Sequence, residues 1–207
     1  ESMAGVAYTD AERALVAAMM DEQLAITNAL RAVEIGNDVP MASVFDPRLP
    51  NFVMPDQPDT QVFRAVNPGP LPDNDTDIAF ASVAQLSAWL ASGSMTSFRL
   101  TELYLDRIRN LGPVLRCFAT VTPELALAQA EAADMRRANG DIVSPLLGVP
   151  YALKDLFDTR DIVTGWGAEP YQDRMPTADA EIVIRLRNAG AVLLGKTSLG
   201  ALARNDV

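Results

Sequence analysis

The chain has 207 residues, 49% of them hydrophobic, enough to bury a substantial core within one or two domains. Its 27 acidic against 17 basic residues give a formal net charge of -10, which argues against nucleic acid and anionic membrane surfaces as partners, since both reward clustered Lys and Arg. The lack of any histidine excludes, within these residues, Ser-His-Asp and Cys-His catalysis and any His-containing zinc site.

The first element is a helix over about 9–31. Thr9 or Asp10 can cap it, Glu12 favours its first turn, and Leu15, Met19, Ile26 and Leu30 recur at near-helical spacing. Met3, Met19 and Met20 read as adaptable packing. From about Gly36 to Asp77 the prolines Pro40, Pro47, Pro50, Pro55, Pro58, Pro68, Pro70 and Pro72 resist both helix and central strand. This stretch is expected to be an extended arm wrapping over the body, with Val44, Phe45, Phe52, Val53, Val62 and Phe63 as anchors. Disorder is the competing reading.

A compact part is predicted to begin near Ser82, where Ser82 and Gln85 have capping-box spacing ahead of Val83, Leu86, Trp89 and Leu90. A helix follows Gly93, with Leu100, Leu103, Tyr104, Ile108 and Leu111 on one face. Leu115–Val121 reads as a strand in which Cys117 is a packed core thiol. Thr122-Pro123 then starts an alanine-rich helix reaching about Ala138, stopped by Asn139-Gly140 and burying Leu125, Ala128, Ala132 and Met135. Next come a strand ending at Lys154, a loop through Trp166, a helix over about 179–189 capped by Asp179 and stopped by Gly190, and a buried strand over 191–194. Strand, helix and strand in that order favour a right-handed parallel unit. There is no internal repeat.

The strand around Gly148-Val149-Pro150-Tyr151-Ala152-Leu153-Lys154-Asp155 carries the leading candidate for chemistry. Side chains alternate along a strand, so Val149, Tyr151 and Leu153 share one face while Pro150, Ala152 and Lys154 share the other. Lys154 is thereby delivered to the carboxyl end of its strand. A lysine partly removed from water loses some preference for its charged form, which would supply a general base without histidine. The alternative is a strand-end lysine that reaches solvent or pairs with Asp155 or Asp158.

Three further features need weighing. The segment Gly190-Ala191-Val192-Leu193-Leu194-Gly195-Lys196-Thr197 satisfies the letter of the phosphate-loop pattern, but a helix precedes it and Ala-Val-Leu-Leu would itself be a buried strand. Gly190 is better explained as a helix stop and Lys196 as structural. Asp155, Asp158 and Asp161 invite a metal reading, yet three loop carboxylates also suit capping, pairing with Arg160 or orienting Lys154. Trp166, between Gly165 and Gly167, suits a pocket wall or a core position equally.

One cysteine allows no internal disulfide, no run is long enough to span a bilayer, and the amino terminus lacks a basic region followed by an apolar core. The expectation is a soluble protein, with the cytoplasm favoured over export after removal of a signal. Asn74-Asp75-Thr76 fits the glycosylation pattern, one too short to weigh.

The Gly148–Asp155 run, followed by Val163-Thr164-Gly165-Trp166-Gly167 and then by the 20-residue stretch from Ala178 to Thr197, closely resembles the amidase signature family in the order and spacing of its motifs. The resemblance covers roughly 80–207. It implies part of an α/β/α sandwich with a mixed, largely parallel sheet, preceded by the amino-terminal helix and proline-rich arm. The boundaries expected are 1–77 for the helix and arm and 78–207 for the amino-terminal part of the amidase domain. It further implies a Ser-cisSer-Lys triad that cleaves a carboxamide, with the base at Lys154 and both serines beyond Val207, in a Gly/Ser-rich stretch. Ser198 is not a substitute for them. Gly165 and Gly167 stand where many members carry another small residue or a serine, and Ser198 where many carry asparagine, which bears on substrate preference. The implied partners are a small-molecule amide and the rest of the domain, downstream or on another chain; no cofactor, metal, nucleic acid or membrane is implied, and homo-oligomerisation is left open. The alternatives are a non-catalytic binding or scaffold relative and, behind it, a nucleotide-binding module.

Overall fold

The computed structural model describes residues 5–36, 39–49, 51–56 and 66–204. The chain divides into two compact units, 1–60 and 61–207.

In the first unit, helix α1 spans Asp10–Arg31. The capping box is present: the Glu12 N–H donates to Thr9 Oγ1 at 3.3 Å, and the Thr9 N–H donates to Glu12 Oε2 at 2.7 Å. These bonds satisfy amide donors that the first helical turn leaves without partners. Leu15, Met19, Ile26 and Leu30 are nevertheless exposed. Residues 39–49 and 51–56 form no helix or strand. Within them the expected anchors Val44, Phe45, Phe52 and Val53 are exposed as well. The anchors Val62 and Phe63, with Pro50, Pro58 and Met3, lie outside the described residues.

The second unit opens with a short helix α2 (Asp75–Ala79), followed by α3 (Val83–Ser92) and α4 (Ser97–Leu115). Ser82 and Gln85 form the expected capping box, and Gly93 ends α3 at φ +75°. Ile78, Leu86, Trp89, Leu90, Met95, Leu100, Leu103 and Val149 make one core cluster. The expected strand over Leu115–Val121 is shorter, since α4 continues through Pro113 to Leu115 and β1 is confined to Phe118–Val121. Cys117 therefore sits at the junction, next to the left-handed cap Arg116, and its thiol is exposed rather than packed in a core.

Helix α5 (Pro123–Ala138) presents a different face from the one expected. It buries Ala126, Ala130 and Ala133, while Leu125 and Met135 are exposed. Ala126 and Ala130 pack with Leu105 of α4 and with Val192 and Leu194, where their small side chains allow close approach.

Strand β2 spans Pro150–Lys154, α6 spans Glu181–Asn188 and β3 spans Val192–Thr197. β2 and β3 pair in parallel, as the strand–helix–strand order predicted, whereas β1 pairs with β3 antiparallel. The result is a small mixed sheet in the order β1-β3-β2. Its central strand is buried from Val192 to Lys196. One face carries Leu153 and Leu193 against Val183 of α6; Val192 and Leu194 face α4 and α5. No helix among the described residues is long and apolar enough to cross a membrane.

Candidate active site at the end of strand β2

Lys154 closes β2 opposite Thr197 of β3. Its side chain is exposed, and it makes no hydrogen bond or ion pair among the described residues, so the partial burial expected from the sequence is not found in this chain. The reason is local. Alternation puts Lys154 with Ala152, also exposed, on a face that nothing covers at this end of the strand.

The backbone beneath Lys154 is closely held. Its carbonyl accepts from the Phe157 N–H at 3.1 Å, and the Asp155 N–H donates to the Thr197 carbonyl at 2.9 Å. Asp155 is buried and its Oδ2 accepts from the Gly165 N–H at 2.9 Å, while its carbonyl accepts from the Trp166 N–H at 3.2 Å. The loop after the strand is thus folded back onto the residue that follows the lysine. A cavity of about 290 Å³ lies alongside, lined by Thr120, Asp155, Val163, Gly165, Gly167 and Gln172 among others.

The buried lysine is Lys196. It is 0% exposed, and its Nζ donates to the Phe157 carbonyl and to Thr164 Oγ1, both at 2.7 Å. Oδ1 of Asp155, which has no hydrogen-bond partner among the described residues, stands 3.6 Å from the same nitrogen. Burial lowers the pKa of Lys196 from the ordinary lysine value, and the charge of Asp155 works in the opposite direction.

Asp158 and Asp179 are likewise committed. Asp158 receives two hydrogen bonds from Arg174, at 2.7 and 2.6 Å, not from Arg160, and these hold its carboxyl below the usual range. The Arg174 guanidinium also lies 3.8 Å from the centroid of Trp166, whose ring contacts Tyr171. Trp166 therefore belongs to a packed loop cluster. Asp179 does not cap α6, whose cap residue is Ala180. It instead accepts from the Arg160 N–H at 2.7 Å and from Arg187 at 2.6 Å. Burial raises its carboxyl, but those two donors outweigh burial and the net shift is downward. Ser198 is bound elsewhere, its hydroxyl donating to the Arg116 carbonyl at 2.7 Å.

The phosphate-loop lookalike resolves as a strand. Val192–Thr197 is the middle of the sheet, so most of the amides a phosphate cradle would use are spent on neighbours. The Val192 N–H donates to the Val149 carbonyl and the Leu193 N–H to Gln129 Oε1. Gly190, at φ +78°, ends the segment after α6 as expected.

Comparison with known proteins places these motifs in one family. The model of the family described as Amidase matches residues 99–204, just over half of the chain. The chain belongs to the amidase signature family. One subunit of the glutamyl-tRNA(Gln) amidotransferase from Methylobacillus flagellatus is 45% identical over 122 residues, 59% of this chain and 25% of that protein. The native peptide amidase from Stenotrophomonas maltophilia is similar in structure with a TM-score of 0.55 and 40% identity, over 58% of this chain and 25% of that one. An amidase family protein from Bacillus anthracis gives a TM-score of 0.56 at 28% identity, over 60% of this chain and 25% of the other. The match thus spans about a quarter of the length of these relatives.

The matched region also carries a compositional signal that no motif contains. Of the 17 basic residues in the chain only two are lysines, Lys154 and Lys196, and they occupy adjacent strands at the same end of the sheet. Every other cation is an arginine. Lysine differs from arginine in that its amine can give up its proton and its ammonium is a compact point charge.

Proposed function

We propose that this chain is part of an amide hydrolase that cleaves a carboxamide C–N bond through an acyl-serine intermediate, with Lys154 as general base. The observation that carries the reading is the placement of Lys154: it ends a strand inside the family match, on a hydrogen-bonded backbone, with its amine exposed and unengaged among the described residues. In this mechanism a serine hydroxyl from the downstream part of the domain attacks the carbonyl carbon. Its proton passes through a second serine to the Lys154 amine. The C–N bond then breaks, and the proton leaves with ammonia or an amine. Water attacks the acyl-serine and releases the acid. Backbone N–H groups of the downstream region would stabilise the oxyanion, worth about 3–4 kcal/mol per donor in comparable sites.

The same reading supplies what covers the exposed face of β2. The remainder of the domain would complete an α/β/α sandwich and take Lys154 partly out of water. The name of one relative, peptide amidase, makes peptide amides the first substrate class to test.

The test is Lys154→Met in the full-length protein, which keeps the side chain's length and removes its amine. A general base contributes about 10²–10⁴-fold, so turnover should fall by that order with the fold intact. Activity retained within about tenfold would overturn the assignment. A full-length sequence lacking both downstream serines would favour the scaffold reading.

A further inference from the structure

We infer that Lys196 is a positioning residue for Lys154, holding from the back of the sheet the backbone on which the proposed base is mounted. The inference rests on the reading of Lys154 as base, but its geometry is independent of that reading. Leu153 pairs with Lys196 and Lys154 with Thr197 across the parallel strands. Paired residues share a face and successive residues alternate, so the two lysines leave the sheet on opposite sides, one step apart.

What Lys196 touches defines its task. Its three contacts are the Asp155 carboxylate, the Phe157 carbonyl and the Thr164 hydroxyl. All three belong to the segment that begins immediately after Lys154. Phe157 in turn donates its N–H to the Lys154 carbonyl, and Asp155 grips the Gly165 N–H. A single ammonium thereby joins the central strand to both ends of the loop beneath the proposed base.

Stability alone is a poor explanation for such an arrangement. Removing an ammonium and a carboxylate from water costs several kcal/mol each, and the mutual attraction often only offsets that loss. The ion pair is also imperfect, since Asp155 Oδ1 stays 3.6 Å from the nitrogen without a hydrogen bond. In a chain whose basic side chains are arginines apart from Lys154 and Lys196, the lysine here is explained by shape. A compact ammonium donates to two acceptors with a third oxygen 3.6 Å away, whereas a planar guanidinium would present its donors in a fixed fork. The charged groups around Lys196 are Asp155, Asp158 and Arg174.

The experiment uses the full-length protein with Lys196→Met, Thr164→Val and Thr164→Ser, and with Lys154→Met as reference. Three quantities are read: kcat and KM on an amide that the wild type turns over, the near-UV circular dichroism of the folded state, and the rate at which N-hydroxysuccinimidyl acetate acylates Lys154, by peptide mapping. For a folded Lys196→Met protein we expect kcat to fall about tenfold or more with KM within about threefold, and Lys154 acylation to change by about threefold or more. Thr164→Val should move both in the same direction, and Thr164→Ser, which keeps the hydroxyl, should restore them. If Lys196→Met does not fold, the Thr164 pair carries the test. Unchanged kcat and unchanged Lys154 acylation in a folded variant would overturn the inference, as would Thr164→Ser proving as damaging as Thr164→Val. If Lys154→Met keeps wild-type turnover, the assignment of Lys154 as general base fails separately, and the acylation rate alone then decides the positioning role.

Discussion

The hydroxyl of Ser97 donates to the carbonyl of Gly148 at 2.8 Å, and the two residues are so close that a Cβ built on Gly148 would lie 2.8 Å from the Ser97 side chain. The contact joins the first turn of α4 to the turn that launches β2, so the strand bearing Lys154 is registered against the helical layer at its start. Gly148 also has φ +79°, a conformation that side chains disfavour. Gly148→Ala should therefore destabilise by about 2 kcal/mol or more, the strain and the clash adding. Ser97→Ala should cost about 1–2 kcal/mol, leaving a buried carbonyl without its donor. Urea unfolding of both variants checks the pair, and a Gly148→Ala protein as stable as wild type would refute the close fit.

Gly195 makes a similar demand in the middle of β3. Its φ is +152°, and a Cβ there would collide with the Thr120 carbonyl of the neighbouring β1. Gly195→Ala is expected to separate β1 from β3 and lower stability by about 2–3 kcal/mol. Hydrogen exchange at the Thr122 N–H, which donates to the Leu194 carbonyl at 3.0 Å, should accelerate more than exchange in α3.

Asp134, on α5, caps α4 from a distance. Its carboxylate accepts from the Ser97 and Phe98 N–H groups at 2.7 and 2.9 Å. Asp134→Ala should cost about 1–2 kcal/mol, while Asp134→Asn should recover part of it because one oxygen can still accept. Equal losses in thermal melts of the two variants would assign the effect to packing instead of capping.

Acid should weaken the loop below the sheet before it melts the helical layer. Asp158, hydrogen-bonded by Arg174, and Asp179, held by Arg160 and Arg187 against the upward push of burial, both have carboxyl pKa values lowered from 3.8. A depressed carboxyl contributes stability that is fully present above its unfolded value and is lost as pH falls through the folded one. The loss therefore begins below about pH 4. Lys196 has the same sign of dependence in a higher pH window: its lowered pKa means the unfolded chain holds the proton more tightly, so the cost of burying its ammonium is relieved as pH rises toward the ordinary lysine value. Tryptophan fluorescence from Trp166, beside Arg174, should report the acid step, and Asp158→Asn should flatten it.

Much of this architecture is legible in the residues. Thr9 with Glu12 and Ser82 with Gln85 signal their helices by spacing alone, because a capping box is a contact between near neighbours. The parallel pairing of β2 with β3 follows from strand, helix and strand in sequence. What escapes are contacts between residues far apart in the chain. Asp134 is 37 residues from Ser97, and nothing local marks it as a cap. The buried face of α5 differs from expectation because size alone favours Leu125 and Met135 inward, whereas the close approach of α4 and β3 selects Ala126 and Ala130. Lys196 is buried, as its place in an apolar strand implies, but its partners lie on a loop whose path no periodicity encodes. Lys154 is exposed because the alternation that presents it to a site puts it on a face that the described residues of its own unit leave open at that end of the strand.

The scarcity of lysine turns the candidate site into a built-in reporter of its own integrity. Within these 207 residues a lysine-specific endoproteinase has two cleavage points, and the folded protein shields one of them completely at Lys196. The other peptide bond, Lys154–Asp155, is accessible by side chain but is locked at its amide to Thr197. A protease needs several residues of extended, unpaired backbone, so that bond becomes cleavable only when the loop after β2 lets go. Limited digestion would thus time the opening of the loop around Asp155, without substrate and without any assay of turnover.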